Sequence, residues 1–131
     1  MRIMLDVAKN SSGDPVRIAD VSSRQEITVK YTEQIMGILA RNGLLRSVRG
    51  AQGGYVLTKK PSEYTAAQIL RCTEGDLSCV DCEVSACHRA DGCAMRAFWE
   101  GLNGAVSTYL EGVTLQDLLD ADPNAADFYS I

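Results

Sequence analysis

Between Arg17 and Leu57 the hydrophobic pattern changes from helical to strand-like spacing, and few folds accept the elements in this order. The stretch Arg17-Ile-Ala-Asp-Val-Ser-Ser-Arg-Gln25 predicts a short helix with Ile18 and Val21 on one face. After Glu26-Ile27, Thr28 is a good N-cap for a second helix, on which Tyr31, Ile35, Ile38 and Leu39 recur at helical spacing. Asn42-Gly43 then stops it in the manner of a helix C-terminus. Two short helices joined by a tight turn, the second with a polar N-terminal face, make a helix-turn-helix pattern.

Directly after the stop, Leu44-Leu-Arg-Ser-Val-Arg49 and Tyr55-Val-Leu57 flank the glycine-rich Gly50-Ala-Gln-Gly-Gly54. Two β-prone runs around such a turn predict a hairpin, and a hairpin following a helix-turn-helix is a wing. Arg49 falls at its tip, where an arginine can enter a narrow minor groove of concentrated negative potential. A phosphate cradle at Gly50–Gly54 is a weak alternative, because no Gly-Lys-Ser/Thr ending and no helix start follow.

The formal net charge of −4 conceals an asymmetry. Residues 1–60 hold ten Lys or Arg against five Asp or Glu, a balance of +5, while residues 61–131 hold three against twelve, a balance of −9. One basic surface that meets phosphate and an acidic remainder are therefore expected. A length of 131 residues suits one compact domain with an appendage, and 46% hydrophobic residues suffice for a modest core. Asp6 and Lys9 interrupt any apolar leader, and no stretch is long enough to span a membrane. A cytoplasmic location is expected.

Four of the five cysteines, Cys79, Cys82, Cys87 and Cys93, lie within fifteen residues among Ser78, Asp81, Glu83, His88 and Asp91. In such polar company they cannot all be core residues, and a disulfide framework would need an oxidising compartment. Ligation of a soft metal or an iron–sulfur cluster is the leading expectation. Zinc remains an alternative, since Cys79-Val-Asp-Cys82 can begin a tetrahedral site. The same pair as the centre of a thiol redox enzyme is a distant alternative, because the βαβ setting of such motifs is missing.

The flanking segments read as helices. Arg2–Asn10 carries Ile3, Met4, Val7 and Ala8 on a stripe with no cap before it, and Thr65-Ala-Ala-Gln68 is a capping box for a helix placing Ile69 and Leu70 inward. Cys72 on that helix is expected to be a core or near-core thiol. Met95, Phe98, Trp99, Leu102, Val106, Tyr109 and Leu110 form a long apolar stripe that burial in a symmetric dimer would satisfy. Thr114 caps a last short helix, Leu115–Leu119, and the acidic tail Asp120–Asp127 is expected to be solvated.

Tyr31-Thr-Glu-Gln-Ile35, Arg41-Asn-Gly-Leu-Leu-Arg-Ser-Val-Arg-Gly-Ala-Gln-Gly-Gly-Tyr55 and the downstream cysteines resemble the Rrf-type bacterial winged-helix transcription regulators, with their IscR-like, NsrR-like and CymR-like branches. The resemblance covers almost the whole chain, and Val48–Tyr55 is its most specific part. It implies a homodimer on partly palindromic double-stranded promoter DNA, expected to act as a repressor, and in several members controlled by an iron–sulfur cluster (2Fe-2S or 4Fe-4S). A cluster-free regulator with zinc-binding or thiol-sensing cysteines is the alternative it leaves. The expected fold class is mainly α with a small β-hairpin: a winged helix-turn-helix over 1–74, a cysteine-rich cluster loop over 75–94, and a dimerisation helix with acidic tail over 95–131.

Three departures from the family pattern bear on the site. Met1 corresponds to a position inside the family's first helix, so the start of the chain is expected to be late or trimmed. Cys82, Cys87 and Cys93 match the three loop ligands of cluster-binding members, but the position of the IscR-like histidine holds Arg96, which cannot deprotonate to ligate. The fourth ligand is open between Cys79, which has the best chemistry, His88, and an acidic residue upstream of this chain. The third departure is Cys72, which is expected to be dispensable. Position in the pattern together with the resemblance makes Thr28, Lys30, Tyr31, Glu33 and Gln34 the reading end of the recognition helix. Lys30 is assigned to a phosphate or guanine, Gln34 to adenine and Glu33 to the cytosine amino group, while Tyr31 also fits the apolar stripe. Arg24 and Arg46 are the phosphate candidates.

Overall fold

The computed structural model describes residues 1–78 and 92–124. Cys79, Cys82, Cys87, His88 and the tail from 125 onward lie outside the described residues. The element order is α1 (Arg2–Asn10), α2 (Ile18–Gln25), α3 (Val29–Arg41), β1 (Leu45–Val48), β2 (Gly54–Leu57), a 3-10 turn (Pro61–Glu63), α4 (Ala66–Glu74), α5 (Arg96–Gly112) and α6 (Leu115–Asp120). The fold is mainly helical with one antiparallel hairpin, paired Leu45↔Leu57 through Val48↔Gly54. No helix among the described residues is long and apolar enough to cross a membrane.

Local chemistry sets the helix boundaries. The Thr28 hydroxyl accepts the Tyr31 N–H to start α3, and Thr65 and Gln68 cap one another's backbone at the start of α4. Thr114 and Asp117 repeat the device on α6. No side chain caps α1 at Met1. At the far end of α3 the Asn42 N–H bonds the Ile38 carbonyl and the Leu44 N–H bonds that of Leu39, which closes the helix and turns the chain into β1.

The core joins α1 (Ile3, Met4, Val7), α2 (Val21), α3 (Met36, Leu39), the start of the hairpin (Leu44, Leu45), Tyr64, α4 (Ile69) and α6 (Leu115). On α3 the buried face runs through Thr32, Met36 and Leu39, one residue further round than the expected stripe. Ile35 and Ile38 are half-buried at its edge, and Tyr31 points outward at 52% exposure.

Tyr64, fully buried, is the polar node of this core. Its hydroxyl donates to the Leu44 carbonyl (2.8 Å) and accepts the Thr58 N–H (2.9 Å) and the Lys59 N–H (3.3 Å). It thereby ties the exit of β2 to the corner between α3 and β1.

α6 returns to this core. The Ala66 N–H bonds the Val113 carbonyl, the Leu115 N–H bonds the Tyr64 carbonyl, and Lys9 pairs with Asp122. Asp122 is thus half-buried and held below the usual carboxylate range, chiefly by Lys9. The solvated acidic tail expected from Asp120 onward is corrected at this residue.

α5 is different. It has no buried residue, and Phe98 (58% exposed), Tyr109 (71%), Met95 and Leu102 stand in the open. An Arg71–Glu111 ion pair of 2.9 Å joins it to α4.

Candidate nucleic-acid interface

The first turns of α3 present Lys30, Tyr31, Glu33 and Gln34 to solvent, on the side away from Thr32, Met36 and Leu39. Lys30, Glu33 and Gln34 have no hydrogen-bond or ion-pair partner among the described residues. Thr28 is committed to its cap, so its hydroxyl serves the helix start. The turn before it places Glu26 in the left-handed region (φ 55°, ψ 44°), and the Ser22 hydroxyl donates to the Ile27 carbonyl at 2.6 Å. These two features fix the angle between α2 and α3.

Arg24, an expected phosphate candidate, is exposed and also has a partner within the chain. Its guanidinium grips the buried Asp6 carboxylate with three contacts of 2.7–3.2 Å, and Gln25 Nε2 adds a fourth at 2.7 Å. Those bonds hold the guanidinium even more firmly protonated than an ordinary arginine. A buried carboxylate without partners is costly, so the pair serves to lock α2 onto α1. Arg2 extends the lock by donating to the Gln25 side chain and carbonyl.

The hairpin carries Arg46 on β1 and Arg49 just beyond it, both exposed and without an intramolecular partner among the described residues. Its tip is a Gly50–Gly53 turn closed by the Gly53 N–H on the Gly50 carbonyl. Next to that turn the hairpin is stitched to the segment before α2 by two bonds of 2.8 Å between Val16 and Tyr55. A Cβ on Gly54 would lie 2.5 Å from the Val16 carbonyl oxygen, and one on Gly53 would run into the Val48 carbonyl. Both glycines are therefore needed to let three strands of backbone meet. The Arg17 guanidinium also donates to the Ala51 carbonyl at the tip, 3.1 Å away. Sequence reasoning missed that contact, for which an arginine at a helix N-cap position is the available signal.

Of the four expected ligands only Cys93 lies in the described residues, where it is exposed, outside any disulfide, and three residues before α5. Among those residues no group of three His, Cys, Asp or Glu is close enough to hold a metal ion. Arg96, in the position of the family's histidine, is engaged with Glu100 at 2.9 Å. Cys72 is half-buried, 3.8 Å from the Ile38 carbonyl, and burial pushes its thiol pKa up. Both ends of the cysteine segment rest on α5: Asn103 donates to the Ser78 hydroxyl at 3.3 Å, and Cys93 leads into the helix start.

A helix-turn-helix followed by a glycine-turned hairpin, with unpartnered polar side chains on the second helix and arginines on the hairpin, defines a winged-helix DNA-binding protein. The chain belongs to the Rrf2 family, described as iron-dependent transcriptional regulator, which matches residues 1–121. It is 36% identical over 118 residues to the HTH-type transcriptional regulator IscR of Escherichia coli O1:K1 / APEC, covering 89% of this chain and 73% of that protein. Among solved structures it is similar to CymR (YrzC), the global cysteine regulator of B. subtilis, with a TM-score of 0.78 and 32% identity over 92% of this chain and 90% of that one. IscR of T. potens is similar at a TM-score of 0.72 and 33% identity, over 92% and 81%. These relatives are transcriptional regulators, so the chain is a regulator of that type and not a thiol redox enzyme.

Proposed function

We propose that the chain is a homodimeric repressor that reads promoter DNA with α3 and the hairpin, and whose affinity responds to the state of its cysteine loop. The observation that carries this reading is the row of exposed, unpartnered Lys30, Glu33 and Gln34 on α3, a helix packed against the hairpin bearing Arg46 and Arg49. In this reading Lys30, Tyr31, Glu33 and Gln34 face the major groove, with Thr28 holding the start of their helix. Arg46 neutralises a phosphate, and Arg49 enters the minor groove. The partner is a second copy of the chain, whose α5 covers the open apolar face of this one.

Cys82, Cys87 and Cys93, with Cys79 as fourth ligand, would hold an iron–sulfur cluster, and the donor set of clustered thiols suits that group. When bound, a cluster supplies an iron centre sensitive to oxidation or exogenous ligands. The chain's own part is mechanical. The loop starts beside Asn103 and ends at the head of α5, so ordering it changes how α5 is held, and through a dimer helix the spacing of two reading heads. A second reading has support in the likeness to CymR: a cluster-free regulator whose cysteines bind zinc or sense thiol oxidation.

Binding of the purified chain to its own promoter region tests the DNA reading. Affinity should fall steeply with salt, and Arg49→Ala should weaken it by about 1–3 kcal/mol. Unchanged affinity of Arg49→Ala would sink the assignment of the hairpin. Anaerobic reconstitution with iron and sulfide separates the two readings of the loop. Brown protein that loses its colour on Cys82, Cys87 or Cys93→Ser, but not on Cys72→Ser, supports the cluster. Colourless protein that binds zinc stoichiometrically supports the alternative.

A further inference from the structure

The bond from Arg17 to the wing tip has no part in the roles assigned so far. The N-cap of α2 is a position where Ser, Thr, Asp or Asn would satisfy an orphan helix N–H, yet Arg17 occupies it with extended backbone (φ −82°, ψ 145°) and makes no cap. Its side chain instead reaches across to the Ala51 carbonyl, inside the turn that follows Arg49. The Val16 and Tyr55 bonds fasten the wing at the neck of its turn, since Tyr55 pairs with Ser47 and the next pair, Val48 and Gly54, borders the turn itself. Beyond that neck the turn is closed by the Gly53 to Gly50 bond. Arg17 adds a fastening point inside the turn, at Ala51.

We propose that Arg17 is a positioning residue for DNA binding: it trades the helix cap for a latch that holds the wing tip, and with it Arg49, at a fixed distance from the helix-turn-helix. The latch sets the distance between the major-groove and minor-groove contacts, and without it the entropy of ordering the tip is charged against binding. This inference rests on the reading of Arg49 as a groove contact.

The test is a double-mutant cycle on the full chain, using fluorescence anisotropy with a labelled duplex of its own promoter region and R17S, R17K, R49A and R17S/R49A proteins. Serine at this position is a better N-cap than arginine, so the R17S protein should melt at the same temperature or higher while binding roughly three- to tenfold more weakly, the range of one net hydrogen bond. The double variant should bind no more weakly than R49A alone, and R17K, which keeps a donor within reach, should recover most of the loss. In the free protein the Gly53 amide should exchange faster in R17S while the Tyr55 amide keeps its protection.

An R17S loss that persists undiminished in the R49A background would mean that Arg17 meets the DNA itself, and would overturn the proposal. So would unchanged affinity of R17S beside a weakened R49A, or unchanged Gly53 exchange. If R49A alone binds as tightly as the wild type, it is the wing reading that fails, and the positioning role falls with it.

Discussion

Replacing Tyr64 by Phe removes one oxygen from the core and leaves its shape intact. The ring stays packed, and Lys59 Nζ keeps its position 4.9 Å from the ring centre. What is lost is a donor to the buried Leu44 carbonyl and an acceptor for the Thr58 and Lys59 N–H groups. Thr58 is exposed and Lys59 half-buried, so water replaces their partner at modest cost, about 1 kcal/mol together. Leu44 is 7% exposed, and its orphaned carbonyl costs a further 1–2 kcal/mol or so. The sum is about 2–3 kcal/mol, or a fall in melting temperature of roughly 6–15 °C for a chain of this size. Urea titration followed by tryptophan fluorescence should show a lower midpoint with an unchanged slope, because the surface exposed on unfolding is the same. A Tyr64→Phe protein within about 0.5 kcal/mol of the wild type would refute the role of the hydroxyl as the tie between the wing exit and the α3 corner.

Three further outcomes are expected. Glu26→Gly should stabilise the fold by about 0.5–1 kcal/mol in the same titration, since relief of a left-handed conformation worth roughly 1–2 kcal/mol outweighs the extra unfolded-state entropy of glycine; a destabilised variant would contradict this. Leu102→Asp should sediment as a monomer or aggregate, an intact dimer placing the interface elsewhere than on α5. In metal-free protein, iodoacetamide at about pH 8 should label exposed Cys93 well before Cys72. Burial raises the Cys72 pKa and lowers its thiolate fraction at any given pH, so its labelling should rise only on the alkaline side of an ordinary thiol; equal rates at that pH would count against its burial.

What the sequence makes legible here is whatever depends on near neighbours. Thr28, Thr65 and Thr114 announce helix starts because a cap is settled within three residues, and the glycines of the wing announce a turn because backbone approach leaves no room for a Cβ. Tyr31 is ambiguous in sequence because its spacing from Ile35 suits either the core or solvent. Only the packing of α3 against its neighbours selects Thr32, Met36 and Leu39 for the interior. The Arg24 pairing is hidden for a related reason: its partner Asp6 lies eighteen residues upstream in the middle of an apolar stripe, and nothing local announces it. The Arg17 contact lies thirty-four residues from its acceptor, and its one local trace is an arginine where a capping residue would be expected.

The return of α6 has a consequence for how the protein comes into being. The compact part of the chain is closed by a late segment: Leu115 fills the core beside Tyr64, and Lys9 of α1 meets Asp122 just after α6. As the chain leaves the ribosome, at roughly 5–20 residues per second, the first seventy-four residues therefore wait for seconds with an apolar slot unfilled and the Tyr64 carbonyl unpaired. Completion of the compact body is thus tied to translation of the segment that precedes Leu115, the cysteines included.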